Sequence, residues 1–380
     1  MTQPPVAASG LQIRSLVKKS GVLEVSLLSV PTPEPGPDEI VIRVEATPIN
    51  PSDIALLLSL IDMDTAKQAG TADSPVFTAK VLERAMPALT ARLDQSMPVG
   101  NEGAGTVVKA GSSPAAQALL GKLVAVASGS MYSQYRVAKA VEALVLPAGI
   151  TATQAASCFV NPLTALSMVE VLRREGHKAL VHTAAASNLG QMLNKICQKD
   201  GVSLVNIVRS AEQANILKEI GAKIVLDSTS PRFMPDLIEA VAATEATLAF
   251  DAIGGGSLAS QILTAMEAAA AARMTAYNRY GSNTFKQVYI YGALDTGKTE
   301  LTRTYGFAWS VSGFLLTPFL QKIGMADVLR LRQRVVAELT TTFASHYTKE
   351  ISLREVPLLD VVKAYNKRAT GEKYLIIPTR

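Results

Sequence analysis

The most suggestive chemistry in this chain is a run of small residues that follows a short apolar stretch. Lys178, Ala179, Leu180, Val181 and His182 lead into Thr183, Ala184, Ala185, Ala186, Ser187, Asn188, Leu189 and Gly190. Ala185, Ser187 and Gly190 fall on the spacing G-x-G-x-x-G, with two of the glycines replaced by small residues. Small side chains let a backbone approach a pyrophosphate, and a helix that begins there offers N–H groups and the positive end of its dipole. The same residues also suit plain strand–helix packing, so the spacing gains its meaning from its place after a strand and before a helix. A site for NAD usually sets an acid at the end of the next strand, about twenty residues on, to hold the ribose. Here Val205, Asn206, Ile207 and Val208 run into Arg209 and Ser210. An arginine pairs with a 2′-phosphate through charge-assisted hydrogen bonds, so NADPH is the expected cofactor. A solvated surface arginine is the alternative.

Other reactive side chains are few. The three histidines are His177, His182 and His346, and the two cysteines are Cys158 and Cys197. No His and Cys stand at ligand spacing, and zinc needs three or four N, S or O ligands, so no metal site is expected. Both thiols read as small buried hydrophobes, and His182, on an apolar strand, as a packing residue. Three groups are candidates to polarise a substrate oxygen: Asn50, Tyr132 and Tyr280. Asn50 precedes Pro51 and reads equally as a turn cap, and Asp53 reads as a structural acceptor. In Met131-Tyr132-Ser133-Gln134-Tyr135, Tyr135 is expected in the core and Tyr132 toward the ligand. Arg273 and Arg279 are either ligand contacts or solvated helix-end charges.

These residues need a scaffold, and the chain supplies two textures. As far as about residue 150 it reads as short strands broken by Gly and Pro, with strict alternation over Glu39 to Glu45. From Thr151, helices alternate with short apolar strands, which implies a parallel sheet covered on both faces. The tail becomes helix-rich and closes in the strand Lys373 to Ile377. Two stretches read as insertions, Met63 to Gln95 and Glu267 to Lys286. In the first, Leu82, Met86, Leu89 and Leu93 recur at helical spacing. That face predicts either a lid over the nicotinamide or a peripheral helix packed on the strand domain.

At 380 residues with 48% hydrophobic and 18% charged side chains, the chain has the material for two cored domains. Its net charge of +5 is spread without a basic block, so nucleic acid is not an expected partner. Two cysteines exclude a disulfide framework and suit a reducing compartment. Met1 to Gly10 lacks a signal-peptide pattern and the apolar runs look short or broken, so the expectation is a cytoplasmic protein without a membrane span.

Several segments together resemble one family. Asn50-Pro51-Ser52-Asp53 is similar to an N-P-x-D segment, and Gly100-Asn101-Glu102-Gly103-Ala104-Gly105-Thr106-Val107 to G-x-E-G-x-G-x-V. Asn161-Pro162-Leu163-Thr164-Ala165 resembles N-x-x-T-A, Phe250 to Gly255 resembles F-D-x-x-G-G, and Gly371 to Ile377 resembles a closing strand. In this order they resemble the quinone oxidoreductase branch of the medium-chain dehydrogenases/reductases across nearly the whole chain. The resemblance implies an α/β protein with a GroES-like β-barrel catalytic domain over residues 1–156, completed by 326–380. Residues 157–325 would form a Rossmann domain that binds NADP. It carries cofactor contacts onto Asn161 and Thr164, onto Ala185, Ala186, Ser187, Asn188, Leu189 and Gly190, and onto Arg209 and Ser210. Ile253, Gly254, Tyr291 and Lys373 complete the implied set.

The resemblance also implies the reaction, hydride transfer to a quinone or an α,β-unsaturated carbonyl, and a homodimer built through the nucleotide domains. Trp309 to Leu316 is the apolar stretch expected at that interface. Zinc-dependent members carry a histidine where this chain has Asn101, which implies a zinc-independent enzyme. The loop Ala184 to Gly190 and the strand Val205 to Arg209 also resemble the 2-enoyl thioester reductases. Those commonly place a catalytic tyrosine soon after N-P-x-D, whereas Ile54 to Leu60 contains none. A non-catalytic, crystallin-like NADPH-binding protein is the third reading.

Overall fold

The computed structural model describes residues 6–367 and 372–380. It divides into two compact units, residues 1–160 with 335–380, and residues 161–334.

The first unit holds two sheets. One is antiparallel in the order Ile61–Gly70, Pro75–Val81, Val22–Pro31, Ser9–Val17, Ser96–Pro98. The other centres on Glu39–Pro48, which pairs antiparallel with Gly103–Ala110, Tyr135–Lys139 and the C-terminal strand Tyr374–Ile376. The period-two pattern of the sequence has a simple cause there: Ile40, Ile42 and Val44 all enter one core with Val107, Val124 and Val126. Gly105 is required where that strand meets its neighbour, because a Cβ would lie 2.0 Å from the Arg43 carbonyl oxygen.

The stretch Met63 to Gln95 is not a helical insertion. It supplies the strands Ile61–Gly70 and Pro75–Val81 and a 3₁₀ segment, Glu83–Arg92. Pro87 inside that segment denies the regular helix that the apolar spacing suggests. Met86, Leu89 and Leu93 pack against the unit's main core, and Arg92 donates to the Leu56 carbonyl and to Ser15 Oγ. Of the two expectations for this segment, packing on the strand domain is what these contacts favour.

The second unit is a six-stranded parallel sheet. Its order is Ile224–Asp227, Ser203–Val208, Ala179–His182, Leu248–Asp251, Lys286–Ile290, Trp309–Gly313. It spans residues 161–334 rather than 157–325, and at its C-terminal end the helix Met325–Ala337 is tied to it by charge. Arg330 pairs with Glu170 at 3.0 Å, and Arg334 with Asp200 at 2.7 Å. Glu267 to Lys286 is anchored rather than loose: the Lys286 ammonium, fully buried, donates to Glu267 Oε2 at 2.5 Å, and Ser282 Oγ donates to the same oxygen at 2.6 Å.

One apolar run is longer than the sequence reading described. Ala152–Glu175 is long and apolar enough to cross a membrane by length and composition, but 94% of its most apolar window is buried inside the protein. Core helices of this kind read as spans when burial is unknown.

Candidate functional site

In the second unit, the strand Ala179–His182 ends in Thr183, whose hydroxyl donates to Asp251 Oδ1 at 2.7 Å and accepts from the Ala252 N–H at 2.8 Å. The fully buried Asp251 carboxylate also takes the Ile253 and Gly254 N–H groups. One side chain thereby fixes the ends of two neighbouring strands and the glycine turn that carries Ile253 and Gly254. Beyond Thr183, Ala184 adopts a left-handed φ of 48°, and the chain turns into the helix Asn188–Asp200. Ser187 caps that helix by accepting the Gly190 N–H. A Cβ on Gly190 would meet the Ala185 carbonyl oxygen at 2.2 Å, so only glycine allows the helix to sit this close to the loop. Ala185 in turn donates its N–H to the Ile207 carbonyl.

Arg209 follows at the end of Ser203–Val208. Its side chain is exposed and makes no ion pair among the described residues, while its backbone N–H donates to Gln213 Oε1. Ser210 caps the next helix, Ala211–Glu219. A narrow loop, an open helix N-terminus and an uncommitted guanidinium fit a dinucleotide with a 2′-phosphate. Asn161 and Thr164 share a buried face of the helix Val160–Glu175. Tyr291, just past Lys286–Ile290, donates to or accepts from His182 Nε2 at 2.8 Å. His182 is therefore hydrogen-bonded, not merely packed. Tyr291 also lines a cavity of about 650 Å³ with Ile290, Ala293, Phe314, Leu315 and Pro318.

The first unit gathers a different set. Asn50 begins the helix Pro51–Leu58; its N–H donates to Asp53 Oδ2 and its Nδ2 to Glu102 Oε1, both at 2.8 Å. Its Oδ1 is buried without a hydrogen-bond partner. Asp53 Oδ1 accepts the Asn101 N–H, and Glu102 Oε2 accepts the N–H groups of Phe159 and Val160. Lys373, also buried, donates to Ser157 Oγ, which lies 2.8 Å from the Tyr347 hydroxyl. Burial pushes the Asp53 carboxyl up to about 7 against the pull of its N–H donors. Burial also raises Glu102, with the Lys373 charge opposing it. Burial brings Lys373 down to about 8, held up in part by Glu102 and Asp53.

Tyr132 needs correcting. It is fully buried and its hydroxyl donates to the Pro48 carbonyl at 3.0 Å, so it supports the Asn50 turn rather than facing a ligand. Lys373, expected among the cofactor contacts, stands in this cluster. Tyr280 is half-exposed, with Arg279 stacked on its ring at 4.5 Å, and Arg273 pairs with Glu245. Both cysteines are buried thiols. Gly371 of the closing motif lies outside the described residues. Glu102, Ser157 and Tyr347 received no role from the sequence. Glu102 stood inside a quoted motif, whereas Ser157 and Tyr347 are brought together across 190 positions by the fold alone.

No protein-family model matches the chain. A mitochondrial enoyl-[acyl-carrier-protein] reductase from Caenorhabditis elegans is 26% identical over 70% of this chain and 69% of its own length. A quinone oxidoreductase from Pseudomonas aeruginosa is 27% identical over 41% of this chain and 49% of its own. With that bacterial relative the match spans only about half of the curated protein's length. The structure of a protein assigned as an NADPH:quinone reductase from Mesorhizobium loti superposes with a TM-score of 0.75 at 26% identity, covering 99% of this chain and all of that one. The chain has the NADPH:quinone reductase-like fold. Its relatives and structural neighbours are quinone oxidoreductases and enoyl reductases of the medium-chain dehydrogenase/reductase superfamily, as the ordered motifs imply. The expected pairing of a GroES-like and a Rossmann domain holds with it.

Proposed function

We propose that the protein is an NADPH-dependent oxidoreductase that reduces a quinone or an α,β-unsaturated carbonyl without zinc. The observation that carries this reading is the exposed, unpaired Arg209 at the strand end beside the Ala185–Gly190 loop, where an NAD site would hold an acid. Bound there, NADPH would supply the hydride. The protein's own work is to hold and orient. Gly190 keeps the helix N-terminus against the loop, Arg209 pairs with the 2′-phosphate, and the Thr183–Asp251 node fixes the turn bearing Ile253 and Gly254. Asn161, Thr164 and Asn188 are the remaining proposed cofactor contacts.

Zinc independence rests on donor chemistry. Asn101 occupies the histidine position, and its Nδ2 donates to Ser52 Oγ. Among the described residues no three His, Cys, Asp or Glu side chains gather as a ligand set. A cytoplasmic homodimer through Trp309–Gly313, the last strand of the parallel sheet, belongs to the same proposal. Enoyl thioester reduction is the second reading, favoured by the nematode relative. Steady-state NADPH oxidation with 1,2-naphthoquinone, an alkenal and crotonyl-CoA separates the two. Turnover of crotonyl-CoA alone would replace the first reading with the second, and no turnover with any acceptor would leave a nucleotide-binding protein.

A further inference from the structure

His182 and Tyr291 stand at the C-terminal ends of two strands of the parallel sheet, separated by the strand Leu248–Asp251. Ligands of such sheets bind beyond those ends. The rings stack, with centroids 5.8 Å apart and planes 18° apart, and Phe250 of the intervening strand meets Tyr291 edge-on. Nε2 and the hydroxyl are 2.8 Å apart. His182 is fully buried, and its other ring nitrogen, Nδ1, has no hydrogen-bond partner.

That orphan atom fixes the direction of the bond. A neutral imidazole carries one N–H and one acceptor nitrogen. If Nε2 accepted the tyrosine proton, Nδ1–H would be a buried donor with no acceptor. With Nε2 protonated, Nδ1 is only an unfilled acceptor. Buried orphan donors are the rarer of the two. His182 therefore donates to Tyr291, and the tyrosine O–H proton stays free for another oxygen. Tyr291 lines the 650 Å³ cavity, whose other side-chain walls, Ile290, Ala293, Phe314, Leu315 and Pro318, are apolar and are joined by the backbone of Gly292 and Gly313.

We propose that Tyr291 donates the hydrogen bond that polarises the carbonyl oxygen of a conjugated acceptor in this cavity, with His182 as its positioning residue. This rests on the hydride-transfer reading above. As hydride reaches the acceptor carbon, the C=C or C=O electron pair moves onto the oxygen. Tyr291 stabilises that developing charge without giving up its proton, and water supplies the proton that completes the product. His182 suits this task because burial holds it neutral, down to about 3, so it cannot take a proton from the phenol. Burial also keeps Tyr291 protonated well above its ordinary range, with the Asp251 charge adding to the effect.

The test pairs binding spectra with kinetics in the full chain. A chromophoric enal, 4-(dimethylamino)cinnamaldehyde, absorbs further to the red when its carbonyl is polarised. Wild type and His182→Gln, which keeps an N–H donor, should show the red-shifted band; Tyr291→Phe and His182→Leu should lose it. kcat/KM for 1,2-naphthoquinone or an alkenal should fall roughly 100- to 1,000-fold in Tyr291→Phe and in His182→Leu, the size expected when one oxyanion donor is removed. The double variant should fall no further. NADPH affinity should change less than about twofold, because Tyr291, a cofactor contact by the resemblance, here serves the acceptor oxygen instead. A red shift that survives Tyr291→Phe overturns the proposal. So does tenfold weaker NADPH binding with unchanged acceptor kinetics, because the hydroxyl would then serve the cofactor. If His182→Leu does not fold, loss of the shift in Tyr291→Phe with its retention in His182→Gln decides. A protein that shifts the dye through Tyr291 yet never oxidises NADPH upholds the donor and overturns the hydride-transfer reading.

Discussion

The two units bury their ionisable side chains in different company. In the nucleotide unit every deeply buried charge is answered: Asp251 takes three donors, and Glu267 takes Lys286 and Ser282. In the strand unit Glu102 takes three donors, Asp53 takes two and Lys373 donates to Ser157, but among the described residues none of the three has a counter-ion in contact, and Asn50 Oδ1 has no partner. Hydrogen bonds and one buried ion pair hold the first arrangement. The second leaves three ionisable groups shifted by burial, two of them brought to about 7 and 8. Buried charge without a counter-ion in contact costs stability, and shifted groups of this kind cluster at functional sites. The contrast marks the nucleotide unit as a rigid holder and the strand unit as the source of any titration near neutral pH.

The largest expected effect tests the closed side of that contrast. Glu267→Ala leaves the Lys286 ammonium buried and alone, and should lower unfolding free energy by about 3–5 kcal/mol in urea melts. Replacing both partners with apolar residues should recover most of it. If Glu267→Ala is no worse than the double replacement, this pair is not the lock described here.

Next comes the open side. Folding raises Asp53 from 3.8 to about 7, so the folded state holds the proton more tightly. Its stabilising contribution is full below about pH 4 and is lost as pH rises through 7, roughly 4 kcal/mol at the limit. Asp53→Asn should be less stable overall yet flatter between pH 4.5 and 7.5. Lys373, lowered to about 8, acts in the opposite sense, with stability recovering as pH rises from 8 toward 10.5. Parallel pH profiles for wild type and Asp53→Asn would remove the contrast.

Two smaller effects probe the holder. Gly190→Ala must push the Ala185 carbonyl away from a 2.2 Å contact, which should lower stability by about 1–3 kcal/mol and weaken nucleotide binding in fluorescence titrations. Arg209→Ala should weaken NADPH by about tenfold or more, near 1.5 kcal/mol, while sparing NADH. Equal affinity of the unmutated protein for both cofactors would discard the phosphate role.

What the sequence made legible follows from locality. The loop Ala185 to Gly190, Arg209 and the F-D-x-x-G-G turn are each encoded within a few positions, and the structure keeps each as a local unit. Alternation in Glu39–Pro48 reads directly as an inward face. The segment around Leu82 to Leu93 misled because its apolar spacing fits a helix, while Pro87 inside it denies the regular one. Tyr132 misled because a polar tip says nothing of burial. The Lys373–Ser157–Tyr347 chain and the His182–Tyr291 pair had no sequence signal, since each joins residues more than a hundred positions apart.

The edge strand Trp309–Gly313 carries the chain's one tryptophan. Its indole sits edge-on to Tyr305 at 5.0 Å and donates to the Gly306 carbonyl. Intrinsic emission excited at the red edge of the aromatic band therefore comes from the nucleotide unit alone. A melt followed by that emission is blind to the strand unit, whereas far-ultraviolet circular dichroism sees both. Divergence of the two curves would separate the units' unfolding without any label. Because the indole is only partly buried at the sheet's last strand, collisional quenching by acrylamide also reports whether another chain covers that edge.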